Sequence, residues 1–85
     1  MYEVEKIRNY ILDSFLFTDD QSVLNDDDSF MEKGIVDSTG MLEIIYFIED
    51  EFAIKVEDNE MVPENLDSVN NIVGFVEKKK NNSSS

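Results

Sequence analysis

Gly34-Ile35-Val36-Asp37-Ser38-Thr39-Gly40 runs directly into Met41-Leu42-Glu43-Ile44-Ile45-Tyr46-Phe47-Ile48-Glu49-Asp50-Glu51-Phe52, and the reading of this stretch decides the fold. Met41, Ile45, Ile48 and Phe52 recur at three- and four-residue steps with Ile44 beside them, which predicts a helix ending near Phe52 with one buried stripe. Leu42 and Tyr46, one turn apart, fall on another side among Glu43, Glu49 and Asp50. Gly40 in the first turn costs about 1 kcal/mol relative to alanine. The start of this helix is therefore not built for stability alone, and marks a place where something approaches the backbone. Ser38 stands just before it. A hydroxyl nucleophile normally needs a base within hydrogen-bond reach, and the chain contains no histidine and no cysteine. Ser38 reads as a handle rather than a catalyst; the plainer alternative is a helix N-cap.

Working outward, Val4, Ile7, Ile11, Leu12 and Phe15 recur at helical spacing and predict a first helix from about Glu3 to Phe17. The stretch from Thr18 to Asp37 is rich in Asp, Ser and Asn, shows no sustained period and reads as a loop. Unpinned loops of such length are uncommon in compact domains, so Val23, Leu24, Phe30, Met31 and Ile35 are expected to turn inward and hold it. Phe52-Ala53-Ile54-Lys55-Val56 alternates like a strand but has no partner strand, and is read as a loop whose Ile54 and Val56 cover the core. Pro63 suits the first turn of a short helix through Leu66. Asp67 or Ser68 can cap a last helix carrying Val69, Ile72, Val73 and Val76, with Phe75 alongside, and Lys78, Lys79 and Lys80 suit its negative C-terminal end. Residues 1–80 form one domain in this reading, and 81–85 a disordered tail. The fold class is all-α: a four-helix bundle of three main helices and one short one, with a long loop between helices one and two.

Composition narrows the function. The 85 residues carry 20 Asp and Glu against 7 Lys and Arg, a net charge of −13, while 41% are hydrophobic, too many for a disordered acidic segment. A domain of this size buries only about 60 to 65% of its unfolded surface, so its core is thin and a deep enzymatic pocket is hard to build. The negative field repels nucleic acid and anionic lipid and directs the protein to basic patches on other proteins. Absence of cysteine excludes disulfides and thiolate metal sites, and no apolar run suggests a signal peptide or a membrane span. A cytoplasmic, monomeric protein is expected. Asp26-Asp27-Asp28 invites a calcium reading, but Phe30 stands where an EF-hand needs an oxygen ligand, and the required Gly and closing Glu are misplaced. No specific metal site is assigned.

The order of these elements resembles the acyl and peptidyl carrier proteins, small four-helix domains that hold a phosphopantetheine arm on a serine. The resemblance covers about Val4 to Val76. Phe30 and Gly34-Ile35 match the hydrophobic anchor and turn before the site, and Asp37-Ser38 matches the Asp-Ser of the attachment motif. Glu43, Glu49 and Phe52-Ala53-Ile54 fit the acidic recognition helix and the apolar turn that ends it; Asn65 to Ile72 resembles the entry to the last helix. The resemblance implies that Ser38 bears phosphopantetheine taken from coenzyme A, with Asp37 supporting the transfer. It also implies that Thr39, Leu42, Glu43, Tyr46, Glu49 and Asp50 form the partner-binding face, and that the chain itself has no catalytic residue. Implied partners are a phosphopantetheinyl transferase, an acyl- or aminoacyl-loading ligase, and downstream synthases or transferases that accept the thioester. One departure is informative: Thr39-Gly40 stands where fatty acid and peptide carriers commonly have leucine after the serine. With Pro63-Glu64-Asn65-Leu66, this favours a free-standing, specialised carrier.

Two duller readings stand beside this one. Leu42 and Tyr46 would be core residues if the helix were rotated, and the acidic face would be plain solvated surface. An acidic interaction module or DNA mimic without covalent modification explains the charge, but neither the turn before Ser38 nor the apolar pair beside it.

Overall fold

The periodic apolar segments condense into four α-helices in the computed structural model, which describes residues 2–83. They are α1 (Tyr2–Ile11), α2 (Ser38–Phe52), α3 (Pro63–Leu66) and α4 (Val69–Ser83), and no strand occurs among the described residues. The all-α, acyl-carrier-type architecture read from the sequence is the one observed. α4 packs against α1, α2 and α3, and its Val69, Ile72 and Val76 are fully buried. Ile7, Ile11 and Leu12 meet them from the first helix, Ile44, Ile45 and Ile48 from α2. α1 and α2 are further joined by ring contacts: Tyr10 and Phe47 stack with centroids 4.0 Å apart, and Phe52 packs edge-on to both Phe47 and Tyr2.

The first helix departs from the regular one expected from Glu3 to Phe17. After Ile11 it widens into a π-helical turn, Leu12–Leu16, and ends at Phe17 in a left-handed conformation (φ 54°, ψ 44°). Phe15, on that turn, lies edge-on to Tyr10 and reaches the first turn of α2. What approaches the backbone at Gly40 is therefore the protein itself. A Cβ there would come within 2.9 Å of Phe15 Cε1 and 3.0 Å of Val36 Cγ1, closer than packed carbons tolerate.

The long loop is pinned, though not by all the residues expected. Leu24, Phe30 and Val36 are buried, and Ile35 is partly so, whereas Val23 and Met31 are about half exposed. Val23 ends a 3-10 turn, Gln21–Val23, that sends the next residue, Leu24, inward in its place. Phe30 carries most of the anchoring. Its N–H donates to Asp67 O at 2.8 Å, and its carbonyl accepts from Ile35 N at 2.8 Å and from Val36 N at 3.3 Å. Polar side chains complete the attachment. Arg8 donates to Gln21 O and Asp26 Oδ1, both at 2.7 Å, and Asn70 N donates to Asp26 O at 3.0 Å. Asp26 is thus spent on structure.

Asp67 and Ser68 divide the tasks that the sequence left open between them. Ser68 Oγ accepts from Asn71 N and caps α4, while Asp67 Oδ1 accepts from Met31 N at 3.0 Å and Oδ2 from the Ser29 hydroxyl, binding the loop. Ile54 and Val56 are buried over the core, as the alternating segment after α2 led us to expect. α4 continues through 81–83, where the sequence suggested a disordered tail; residues 84 and 85 of that tail lie outside the described residues.

Two glycine substitutions separate packing from helix propensity. Gly40→Ala should destabilise by roughly 1 kcal/mol, because overpacking against Phe15 and Val36 outweighs the propensity gain. Gly74→Ala, in α4 with nothing within 4 Å of the new Cβ, should stabilise by about 0.5 to 1 kcal/mol. Urea unfolding followed by circular dichroism checks both signs.

Candidate functional site

The chain enters α2 through Asp37, which is extended (φ −102°, ψ −172°) and serves as the N-cap. Its Oδ1 accepts from Gly40 N at 2.8 Å and its carbonyl from Met41 N at 2.9 Å. Ser38 is therefore not the cap, contrary to the plainer reading of the sequence. A capping hydroxyl is held against the backbone; with Asp37 in that role, Ser38 is left exposed on the first residue of the helix. The positive end of a 15-residue helix lies beneath it, an environment that favours an attached phosphate.

Beside Ser38 opens an apolar groove of about 240 Å³, lined by Met31, Met41, Leu42, Ile45, Met61, Val62 and Pro63 together with Ser38. One wall is α2 and the other the segment leading into α3. That second wall is held by a 3-10 turn, Asp58–Glu60, whose capping box joins Glu57 and Glu60. Glu60 Oε1 accepts from Lys79 Nζ and from Glu57 N, each at 2.9 Å, and its carbonyl accepts from Val62 N and Asn65 Nδ2, each at 2.9 Å. The Lys79 ammonium, then the Glu57 N–H, hold the Glu60 carboxyl below its ordinary value of 4.5.

The residues expected on the outer face of α2 are largely where the sequence put them. Tyr46 is 66% exposed and Leu42 47%, so neither belongs to the core, and Thr39, Glu43 and Asp50 are exposed around them. Glu49 differs. It is partly buried, and its Oε2 accepts from Val56 N at 2.9 Å, tying α2 to the loop that follows. Sequence reasoning missed the groove wall formed by Met61 and Val62, since neither lies in a periodic segment, and it placed Met31 in the core rather than at the groove.

The chain matches no protein-family model. A D-alanyl carrier protein from Streptococcus uberis (strain ATCC BAA-854 / 0140J) is 38% identical to it over 77 residues. That alignment covers 88% of this chain and 96% of the relative. The chain belongs to the acyl carrier family. It is a carrier protein, and the carrier's helical frame is the one that presents Ser38 and its groove. No helix among the described residues is long and apolar enough to cross a membrane.

Two measurements probe this geometry. Asp37→Ala removes the cap and should cost the carrier about 1 kcal/mol, with most of the loss restored by Asp37→Ser, both read by urea unfolding. Acid unfolding tests Glu60. A carboxyl whose folded pKa is depressed contributes stability above its ordinary pKa and loses it as pH falls through the lower, folded value. Lys79→Met removes the largest cause of that depression, so between about pH 5 and pH 3 the parent should lose more stability than the variant.

Proposed function

We propose that this carrier holds D-alanine, or a closely similar small aminoacyl group, as a thioester on a phosphopantetheine arm attached to Ser38. The observation that carries the reading is the 38% identity, over nearly the whole of both chains, to a protein named as a D-alanyl carrier. Local geometry supports the attachment point. Ser38 is exposed on a positive helix end, its hydroxyl is not taken up as the cap, and an apolar groove begins at its side. These features fit a phosphorylated pantetheine. The arm, when bound, supplies a thiol that the cysteine-free chain lacks.

The chain's own residues present and position. Asp37 holds the first turn of α2, and through it the place of the Ser38 hydroxyl; it is also the residue to support an incoming transferase. No base in the chain activates that hydroxyl, so a phosphopantetheinyl transferase supplies the activation and the carrier is non-catalytic. A ligase then charges the arm, and downstream synthases or transferases unload it. Confining the cargo to a tether raises its effective concentration at each active site. Thr39, Leu42, Glu43, Tyr46 and Asp50 form the face these enzymes grip, an apolar pair inside an acidic rim, with Glu49 acting mainly through the loop it holds. Such contacts are weak and salt-sensitive. The carrier works as a cytoplasmic monomer, and −13 net charge opposes binding to nucleic acid or anionic membrane.

Intact mass after incubation with coenzyme A, magnesium and a broad-specificity phosphopantetheinyl transferase should show one phosphopantetheine on the parent and none on Ser38→Ala, with both proteins equally folded. Addition of ATP, D-alanine and a D-alanine-activating ligase should then add one alanyl group, released by hydroxylamine. No uptake by a folded parent, while a control carrier is modified in parallel, would turn the assignment toward an acidic interaction module.

A further inference from the structure

Three of the chain's four methionines, Met31, Met41 and Met61, come from three separate segments and all line the groove beside Ser38; Met1 lies outside the described residues. No other side-chain type in this protein carries sulfur, and tryptophan and histidine are absent as well. Thioethers are therefore the groups that a peroxide attacks first. They are not equally open to it. Met31 is 48% exposed and Met61 38%, whereas Met41 is partly buried and packed against the core. The backbones of the two open residues are fixed independently of their sulfurs. Met31 N donates to Asp67 Oδ1 at 3.0 Å and the Met31 carbonyl accepts from Gly34 N at 3.2 Å, while Met61 N donates to Asp58 O at 3.3 Å. A chemical change at either sulfur thus alters the surface of the groove and leaves in place the hydrogen bonds that fold its walls.

Oxidation by a hydroperoxide is a two-electron oxygen transfer. The thioether sulfur attacks one peroxide oxygen, an S–O bond forms as the O–O bond breaks, and the proton on the transferred oxygen passes to the departing hydroxide. Sulfur is oxidised and peroxide reduced, giving one sulfoxide and one water. The sulfoxide is polar and a strong acceptor where an apolar side chain stood, and thiol-dependent reductases return it to the thioether. Its place decides its effect. Ser38 lines the same groove and is exposed. An enzyme that transfers a group to the Ser38 hydroxyl has to come within hydrogen-bond reach of that oxygen, and an interface of about 800 Å² per partner then extends over the groove walls. A sulfoxide enclosed in that contact is an acceptor without a donor, which costs about tenfold in binding.

We propose that Met31 and Met61 form a reversible oxidation site that takes oxygen from hydroperoxides and, as sulfoxides, slows the transfer of phosphopantetheine to Ser38. The proposal rests on the carrier function given above, and transfer to the untreated protein tests that function first. The full chain, before any phosphopantetheine is attached, is treated with hydrogen peroxide, the excess is destroyed with catalase, and sulfoxides are located by peptide mass. Met31 and Met61 should each gain one oxygen before Met41 does, with the helical circular dichroism retained. The transferase's kcat/KM for the oxidised carrier should fall about tenfold, and treatment with methionine sulfoxide reductases should restore it. The double variant Met31→Leu, Met61→Leu, compared with itself before and after the same peroxide exposure, should keep its rate within about twofold. An untreated parent that takes up no phosphopantetheine overturns the carrier function. Where the untreated parent is modified, an unchanged rate after oxidation, an equal loss in the double variant, or oxidation of Met41 first overturns the oxidation site alone. Loss of the helical spectrum on oxidation overturns it too, because the slower transfer would then come from unfolding and not from a changed groove.

Discussion

The arrangement at Ser38 depends on the burial of Phe30. Placing this ring at zero exposure is worth about 1.5 to 3 kcal/mol, and with Leu24 it is one of two large hydrophobic residues of the long loop that are fully enclosed. Its backbone works as hard as its side chain. The N–H reaches across to Asp67 at the entry to α4, and the carbonyl gathers the amides of Ile35 and Val36 into a tight turn. Gly34, with φ 70°, allows that turn at a left-handed position. From there the chain has no slack before Asp37 caps α2, so the place of Ser38 is set by a residue eight positions upstream and by a helix that closes the bundle from the other end of the sequence.

Division of labour among the carboxylates follows from the same geometry. A chain with 20 acidic residues needs to keep its own field from opening the fold. Several of them are therefore engaged locally: Asp26 with Arg8, Asp67 with the Met31 amide and Ser29, Glu60 with Lys79, Glu49 with the Val56 amide. Those left facing solvent are spread over the surface, among them Glu43 and Asp50 on the outer side of α2 and Asp13, Asp19 and Asp20 around the end of the first helix. The groove at Ser38 is contrasted with this rim, being walled by three methionines from three different segments. Unbranched thioether side chains conform to more than one shape, so the walls of this groove can adapt to what enters it.

A second cleft, of about 400 Å³, lies on the other flank of α2, where Tyr10 and Phe47 stack and Lys6, Asp13, Asp19 and Glu51 line the walls. The two depressions leave Leu42, Tyr46, Glu43 and Asp50 on a ridge between them. Burial raises the Tyr10 hydroxyl pKa above its ordinary value, with a smaller contribution from Glu43.

Local chemistry along the chain was enough to reveal the helices, the short Pro63–Leu66 turn and the loop function of Ile54 and Val56. Each rests on spacing or capping, which act within a few residues and leave a periodic trace. Tertiary structure decided the rest. It chose Asp37 over Ser38 as the cap, gave Asp67 to the loop and Ser68 to α4, and explained Gly40 by Phe15, a residue 25 positions away. It turned Met31 and Val23 outward in a loop that has no period from which to predict a direction, and brought Met61 and Val62 beside Ser38 to complete the groove. It also left Phe17 in solvent where the helical stripe simply ran out. These outcomes depend on which distant segment arrives alongside, and an interaction between residues far apart in the chain leaves no mark in the spacing of either one.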